Sequence, residues 1–291
     1  MMYKHIFMVF GCLFLSLVAS SQVKREKFPN NSTKTLVFES GKEFDIVENN
    51  PFIIDREPDR RTASAYKYRH VKLSDKGVSE MFNKVGWRNG IEPENLKHYN
   101  FTAMTGGIDE NNFILVSYLL LIYSDYDELL GQASRLIVLD STGEKVFEKH
   151  FPFDCLSPSI TNDGKTIGFK TGGQHDESLI PVKKSRAAFY NIAKDTIVLN
   201  IFPEDSSYLG GMGAINNMFF VRIENSYKKE LKNFFYKTES ERLYSTVLNY
   251  YQYRRIVEFN DQGIYFSKDQ NDTIVYKKLL FEKDFKKEAM P

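Results

Sequence analysis

The residues able to do chemistry in this chain gather in its connections rather than in its apolar runs. His175-Asp176-Glu177, with His150 upstream, carries the imidazole and carboxylate donors of a zinc site. They lack the short fixed spacing such sites use, so no metal is expected. Asp154, Asp176, Glu177, Glu204 and Asp205 are carboxylates that, set in pairs, could act as acid and base on a glycosidic bond. Charged connection residues more often do no more than face water. Tyr244, Tyr250, Tyr251 and Tyr253 form the densest aromatic cluster. A tyrosine offers a ligand an apolar face and a polar tip, but alternate tyrosines on a strand equally pack between sheets. Cys155, flanked by Asp154 and Leu156, reads as a small buried apolar side chain rather than a nucleophile. No G-x-S-x-G elbow, Walker loop, G-x-G-x-x-G or H-E-x-x-H occurs, and no cofactor is expected.

The elements that must position these residues are short strands. Leu136–Leu139 and Lys145–Phe147 flank the turn Ser141-Thr142-Gly143-Glu144. Ser159-Ile160-Thr161 and Thr166–Phe169 flank Asn162-Asp163-Gly164. Runs of β-branched and aromatic residues separated by Asn, Asp and Gly predict hairpins, because those turn residues tolerate positive φ. The same pattern returns at Ala214-Ile215/Met218–Val221 and Val257–Phe259/Ile264–Phe266, and earlier at Thr102–Met104/Phe113–Val116. Between these lie hairpins at Phe189–Ile192/Thr196–Leu199 and Phe234–Tyr236/Leu243–Val247, and a first one at Thr35–Phe38/Phe44–Val47. Pro152 and Pro203 hold matching places. Four strands recurring every ~45–54 residues predict an all-β chain, a β-propeller whose blades bury their faces only by stacking. A β-sandwich with regular hairpins is the rival. Gly106-Gly107, Gly172-Gly173 and Gly210-Gly211 read as tight connections near strand ends. The runs at 109–112 and 260–263 read as hairpin turns rather than calcium loops. One short helix is expected near 74–85, from the stripe Val78, Met81, Phe82, Val85.

The segment SITNDGKTIGF at 159–169 resembles the S-x-D-G-k hairpin of WD40-like and TolB-like propellers of exported bacterial proteins. Asp272-Thr273-Ile274-Val275-Tyr276 resembles their recurring D-T-I-Y strand. The likeness covers about residues 101–280 and implies a fold alone, since the Trp-Asp dipeptide of true WD40 repeats is absent. Five four-stranded blades are expected, or six if the N-terminal third is compressed, with Thr35–Phe38 pairing beside Thr273–Tyr276 to close the ring. In that phase one end of the ring carries the connections between blades and between each blade's middle strands. That end gathers His150, Asp154, His175, Asp176, Glu177, Glu204, Asp205, Tyr208, Tyr250, Tyr251 and Arg254 as ligand-face candidates. The joining stretch from His150 to Pro158 lies on it.

Residues 1–21 differ in kind. Ile6 to Val18 is almost wholly apolar, Ala19-Ser20-Ser21 is small, and charge begins after Gln22. This predicts a cleaved signal peptide and an exported chain, periplasmic or at the cell envelope. Cys12 lies mid-run, an unfavourable place for a lipoprotein anchor. Residues 22–34 read as a flexible lead-in and 35–291 as a single propeller domain. The charge balance of 39 basic against 38 acidic residues excludes an electrostatic case for nucleic acid. The expected function is a non-enzymatic, monomeric module binding a protein or glycan. A glycosidase-like hydrolase and a structural subunit of an envelope assembly are the alternatives.

Overall fold

Alternation of side chains along the strands explains the architecture. A computed structural model describes residues 24–27, 33–46, 49–52, 68–69, 83, 85–87, 100–110, 112–123, 129–172, 185–204, 207–225, 227–228, 230–249, 256–260, 262–270 and 273–290. These residues form five antiparallel sheets in chain order. The first contains β1 (Lys24–Lys27), β2 (Thr33–Val37) and β3 (Glu43–Asp45). The second is built on β6 (Asn100–Glu110), β7 (Ile114–Tyr123), β8 (Leu129–Leu139) and β9 (Lys145–Phe151). Two short strands, β4 (Tyr68–Arg69) and β5 (Gly86–Trp87), pair with β6 and β8. The third is a four-stranded meander, β10 (Leu156–Ile160), β11 (Thr166–Thr171), β12 (Arg186–Asn191) and β13 (Thr196–Ile201). The fourth repeats it with β14 (Ser207–Ile215), β15 (Met218–Asn225), β16 (Glu230–Lys237) and β17 (Arg242–Asn249). The fifth holds β18 (Ile256–Asn260), β19 (Gly263–Gln270) and β20 (Thr273–Leu280).

Successive residues of a strand point to opposite faces, so a strand that is apolar throughout must be covered twice. On β7, Ile114, Val116, Tyr118 and Leu120 join Leu36, Phe38 and Ile46 of the first sheet's hairpin, while Leu115 turns towards Ile160, Ile167 and Phe169 of the third sheet. On β12, Ala188 and Tyr190 face the second sheet, and Ala187 and Phe189 face the fourth. On β15, Phe219, Val221 and Ile223 face the third sheet, and Met218 and Phe220 face the fifth. Each core is therefore shared by two neighbouring sheets, which is how propeller blades stack. The Phe189 ring lies 5.0 Å from Phe219 and 5.2 Å from Tyr236 across one such interface. Burying one such side chain contributes about 1.5–3 kcal/mol.

The turns register the repeat directly. Asn112, Asn162 and Asn216 stand at equivalent hairpin turns of the second, third and fourth sheets. Asn112 Nδ2 donates to the Asn162 carbonyl at 3.1 Å, across 50 residues of sequence. Asn162 Nδ2 donates to Asn216 Oδ1 at 3.1 Å, across 54, and its amide donates to the Asn216 carbonyl. The Asp163 amide donates to Asn217 Oδ1 at 3.0 Å. Asn216 itself has φ of 54°, which the two-residue turn before Met218 requires and asparagine tolerates. The other hairpins are joined by ion pairs, Lys42 with Glu144, Lys149 of β9 with Asp195, and Lys194 with Glu241, and Ser40 Oγ donates to the Thr142 carbonyl at 2.7 Å.

Three expectations change. β2 already pairs with β1 and β3, so Thr35–Phe38 does not lie beside Thr273–Tyr276. Both edges of an extended strand are then occupied, and no ring closure runs through it. Gly106-Gly107 and Gly210-Gly211 are not connections. They lie inside β6 and β14, where the register shifts between Thr105 and Gly107 and between Leu209 and Gly211. Gly86–Trp87, to which the sequence assigned no element, is a strand that pairs with β8. The expected helix at 74–85 falls almost wholly outside the described residues. A helical turn the sequence did not announce, α1 (Phe281–Asp284), follows β20, and β21 (Lys286–Glu288) then adds a fifth strand to the fourth sheet beside β17.

Candidate functional site

Strand polarity divides the stack into two ends. One end carries the Asn-rich and charged turns, stitched from sheet to sheet. The other carries the connections β9–β10, β13–β14 and β15–β16 among the described residues, and it is the end to which the sequence assigned ligand contact.

Asp154 sits in the first of these connections and is buried. Its Oδ1 accepts hydrogen bonds from Gln132 Nε2 at 3.3 Å, Thr171 Oγ1 at 3.0 Å and the Gly172 amide at 2.9 Å. Gln132 belongs to the second sheet and Thr171 to the third, so this carboxylate joins two sheets. Next to it, the Cys155 amide donates to Ser134 Oγ at 2.8 Å. Burial, and then the Asp154 charge, push the Cys155 thiol well above its ordinary range, with the Ser134 hydroxyl opposing. A thiol so protected is a packing group. His150 stands on β9 with its ring edge-on to Phe52, 5.9 Å between centroids. Glu204 is exposed in the β13–β14 connection, bonded to Lys232 Nζ at 2.9 Å, and that hydrogen bond holds its carboxyl below the usual range. His175, Asp176, Glu177, Asp205, Tyr250, Tyr251, Tyr253 and Arg254 lie outside the described residues. Tyr244 is buried, its ring tilted against Phe281 with 5.5 Å between centroids.

Tyr208 leads to a cluster the sequence did not reveal. It is the second residue of β14, is 49% exposed, and its hydroxyl donates to Glu224 Oε2 at 2.7 Å. Arg222, two residues back on β15, pairs with Glu224 Oε1 at 2.8 Å. Lys170, on β11 of the third sheet, crosses to donate to the Gly210 carbonyl at 3.1 Å. Burial lowers the Lys170 pKa, the Arg222 charge lowers it further, and Glu224 partly offsets both. The backbone explains why the cluster can assemble. A Cβ on Gly210 would sit 2.2 Å from Glu224 Oε1, so only glycine lets that carboxylate lie against the bulged strand. No residue of β14 is buried, whereas the middle strands beside it mostly are. β14 is thus half-buried along its length, with Tyr208 its one exposed residue, while Leu209, Met212 and Ala214 pack against the core shared with the third sheet.

Aromatic side chains are exposed at the same end. Phe202 (51% exposed) follows β13, with the Arg186 guanidinium 5.9 Å from its ring centre, and Tyr227 (86% exposed) lies between β15 and β16. With Tyr208 these are the exposed large aromatic residues among the described residues. Among the described residues no group of three His, Cys, Asp or Glu is placed to hold a metal ion, and no helix is long and apolar enough to cross a membrane.

No known family model matches this chain, and no curated protein does. Solved structures match loosely. The β-propeller domain of the trilobed protease from Pyrococcus furiosus matches at 13% identity over 61% of this chain and 58% of that one, with a TM-score of 0.36. Dipeptidyl peptidase 4 from Porphyromonas gingivalis matches at 9% identity over 92% and 46%, with a TM-score of 0.37. Synechocystis apocarotenoid oxygenase matches at 11% identity over 62% and 48%, with a TM-score of 0.31. The chain spans about half the length of these structures. Its blade arrangement rests on its own sheets.

Proposed function

We propose that the protein is an exported, single-domain, propeller-type binding module that takes its ligand at the end bearing the β9–β10, β13–β14 and β15–β16 connections. One observation carries this reading. The exposed aromatics Phe202, Tyr208 and Tyr227 lie at that end, and the ionic cluster of Lys170, Arg222 and Glu224 stands beside Tyr208 at the start of β14. The opposite end is joined turn to turn by backbone and side-chain hydrogen bonds, leaving less to offer a partner. Among the carboxylates first considered for hydrolysis, Asp154 is committed to three internal hydrogen bonds and Glu204 to Lys232. Those partners support binding rather than catalysis at these two positions.

The test is a panel of neutral saccharides, acidic saccharides and short peptides, added singly to the full mature chain while backbone amide NMR shifts are followed. The reading expects at least one member to move amides within 202–211 and 222–228 and to be recovered intact. Cleavage of a panel member, or shifts confined to the turns at 112, 162 and 216, would overturn it.

A further inference from the structure

The geometry points to the carboxylate of an acidic sugar, a uronic acid within a glycan, as the group this edge recognises; the inference rests on the binding reading above and specifies its ligand. The cluster holds two cations and one carboxylate, so it keeps a net positive charge beside the half-buried start of β14, next to the exposed Tyr208. Arg222 offers a planar fork of donors matched to the two oxygens of a carboxylate, and Lys170 adds a point charge from the neighbouring sheet. Lys170 is already partly desolvated, so an incoming anion restores interaction energy that burial removed.

Glu224 decides which anion fits. Its oxygens face Arg222 and Tyr208 at the inner edge of the sheet. A doubly charged phosphate set against that carboxylate meets repulsion that a singly charged group meets only half as strongly. A sugar acid also brings ring hydroxyl donors, and Glu224 can accept from one of them. The aromatic faces complete the match. Tyr208 at 49% exposure and Phe202 at 51% present rings to the C–H face of a pyranose, as flat apolar surfaces with a polar margin do. A peptide ligand would use main-chain pairing along an edge, but the edge of β14 is broken by a register shift at Gly210.

The experiment compares acids with their neutral parents. Oligogalacturonate and oligoglucuronate, and the corresponding galactose and glucose oligomers, are titrated into the full mature chain by calorimetry at low and moderate salt. The acids are expected to bind at least ten-fold more tightly than the neutral oligomers, and more weakly as salt rises. Arg222→Gln and Lys170→Met are each expected to weaken the acids at least ten-fold and the neutral oligomers by a much smaller factor. Equal affinity for acid and neutral partner in the unaltered protein overturns the inference, and that comparison requires no variant to fold. If neutral sugars or peptides alone move the amides at 202–211, the acid assignment fails while the binding module stands. If no panel member perturbs that end, both fail.

Discussion

Asp154 illustrates how a residue with reactive chemistry serves the fold instead. One carboxylate oxygen takes three donors, two of them from the ends of different sheets. Replacing it with alanine strands the buried Thr171 hydroxyl and leaves the Gly172 amide and Gln132 without their acceptor. Each unmet buried group costs about 1–3 kcal/mol, so Asp154→Ala is expected to lower unfolding free energy by about 2–4 kcal/mol. Urea titration reads this as a lower midpoint with an unchanged slope. Asp154→Asn keeps an acceptor oxygen and is expected to cost less. A stability change near zero would show that the joint is not holding the sheets.

At the scale of elements, the sheets stack because central strands are apolar on both faces, and stacking sets a limit on side-chain size. Gly168 on β11 faces the fourth sheet, where a Cβ would lie 2.4 Å from Met212 Cε and 2.7 Å from Phe219 Cε1. Gly168→Val would force these groups and the sheet spacing apart and is expected to cost about 1–3 kcal/mol, measured by thermal or urea unfolding. Gly211, whose added Cβ would come no nearer than 3.6 Å to Arg222, is the matched control where there is room. The two glycines separate packing from backbone freedom. If both substitutions cost the same, close approach of the sheets is not the cause.

For the whole molecule, the C-terminal segment is what fastens the last elements to the stack. After β20, Phe281 and Phe285 enter the core shared by the fourth and fifth sheets, and β21 covers the edge of β17. Two carboxylates fasten it. Glu282 accepts from the Tyr244 hydroxyl and from Arg242, and Glu288 accepts from Ser245 Oγ at 2.6 Å and from Lys286. The Tyr244 bond is the main cause of the depressed Glu282 pKa and the Ser245 bond that of Glu288, both lying below the ordinary 4.5. A carboxylate whose folded pKa is depressed adds stability above its unfolded pKa and loses it as pH falls through the folded value. The strap is therefore expected to hold at neutral pH and to loosen below pH 4.5. Hydrogen-exchange protection of the Lys286–Glu288 amides, corrected for intrinsic rates, would fall there before that of β15 and β16. Equal loss in both places would place the acid transition elsewhere.

The sequence by itself determined the local elements. Asn, Asp and Gly between β-branched and aromatic runs set the hairpins at 136–147, 159–169, 189–199, 214–221, 234–247 and 257–266, because turn geometry and side-chain alternation are properties of a few neighbouring residues. The period followed, and with it the all-β stack. Tertiary structure decided what depends on residues far apart in the chain. Pairing partners of an edge strand carry no local signal, so β2 bonded with β1 and β3 and the fifth strand of the fourth sheet came from the C-terminus. Burial of Asp154 depends on donors from Gln132 and Thr171, tens of residues apart. The Lys170, Arg222, Glu224 and Tyr208 cluster joins two sheets through a bulge opened by Gly210. None of those residues stands in a motif. They meet because two blades pack, and only the packing brings their charges together.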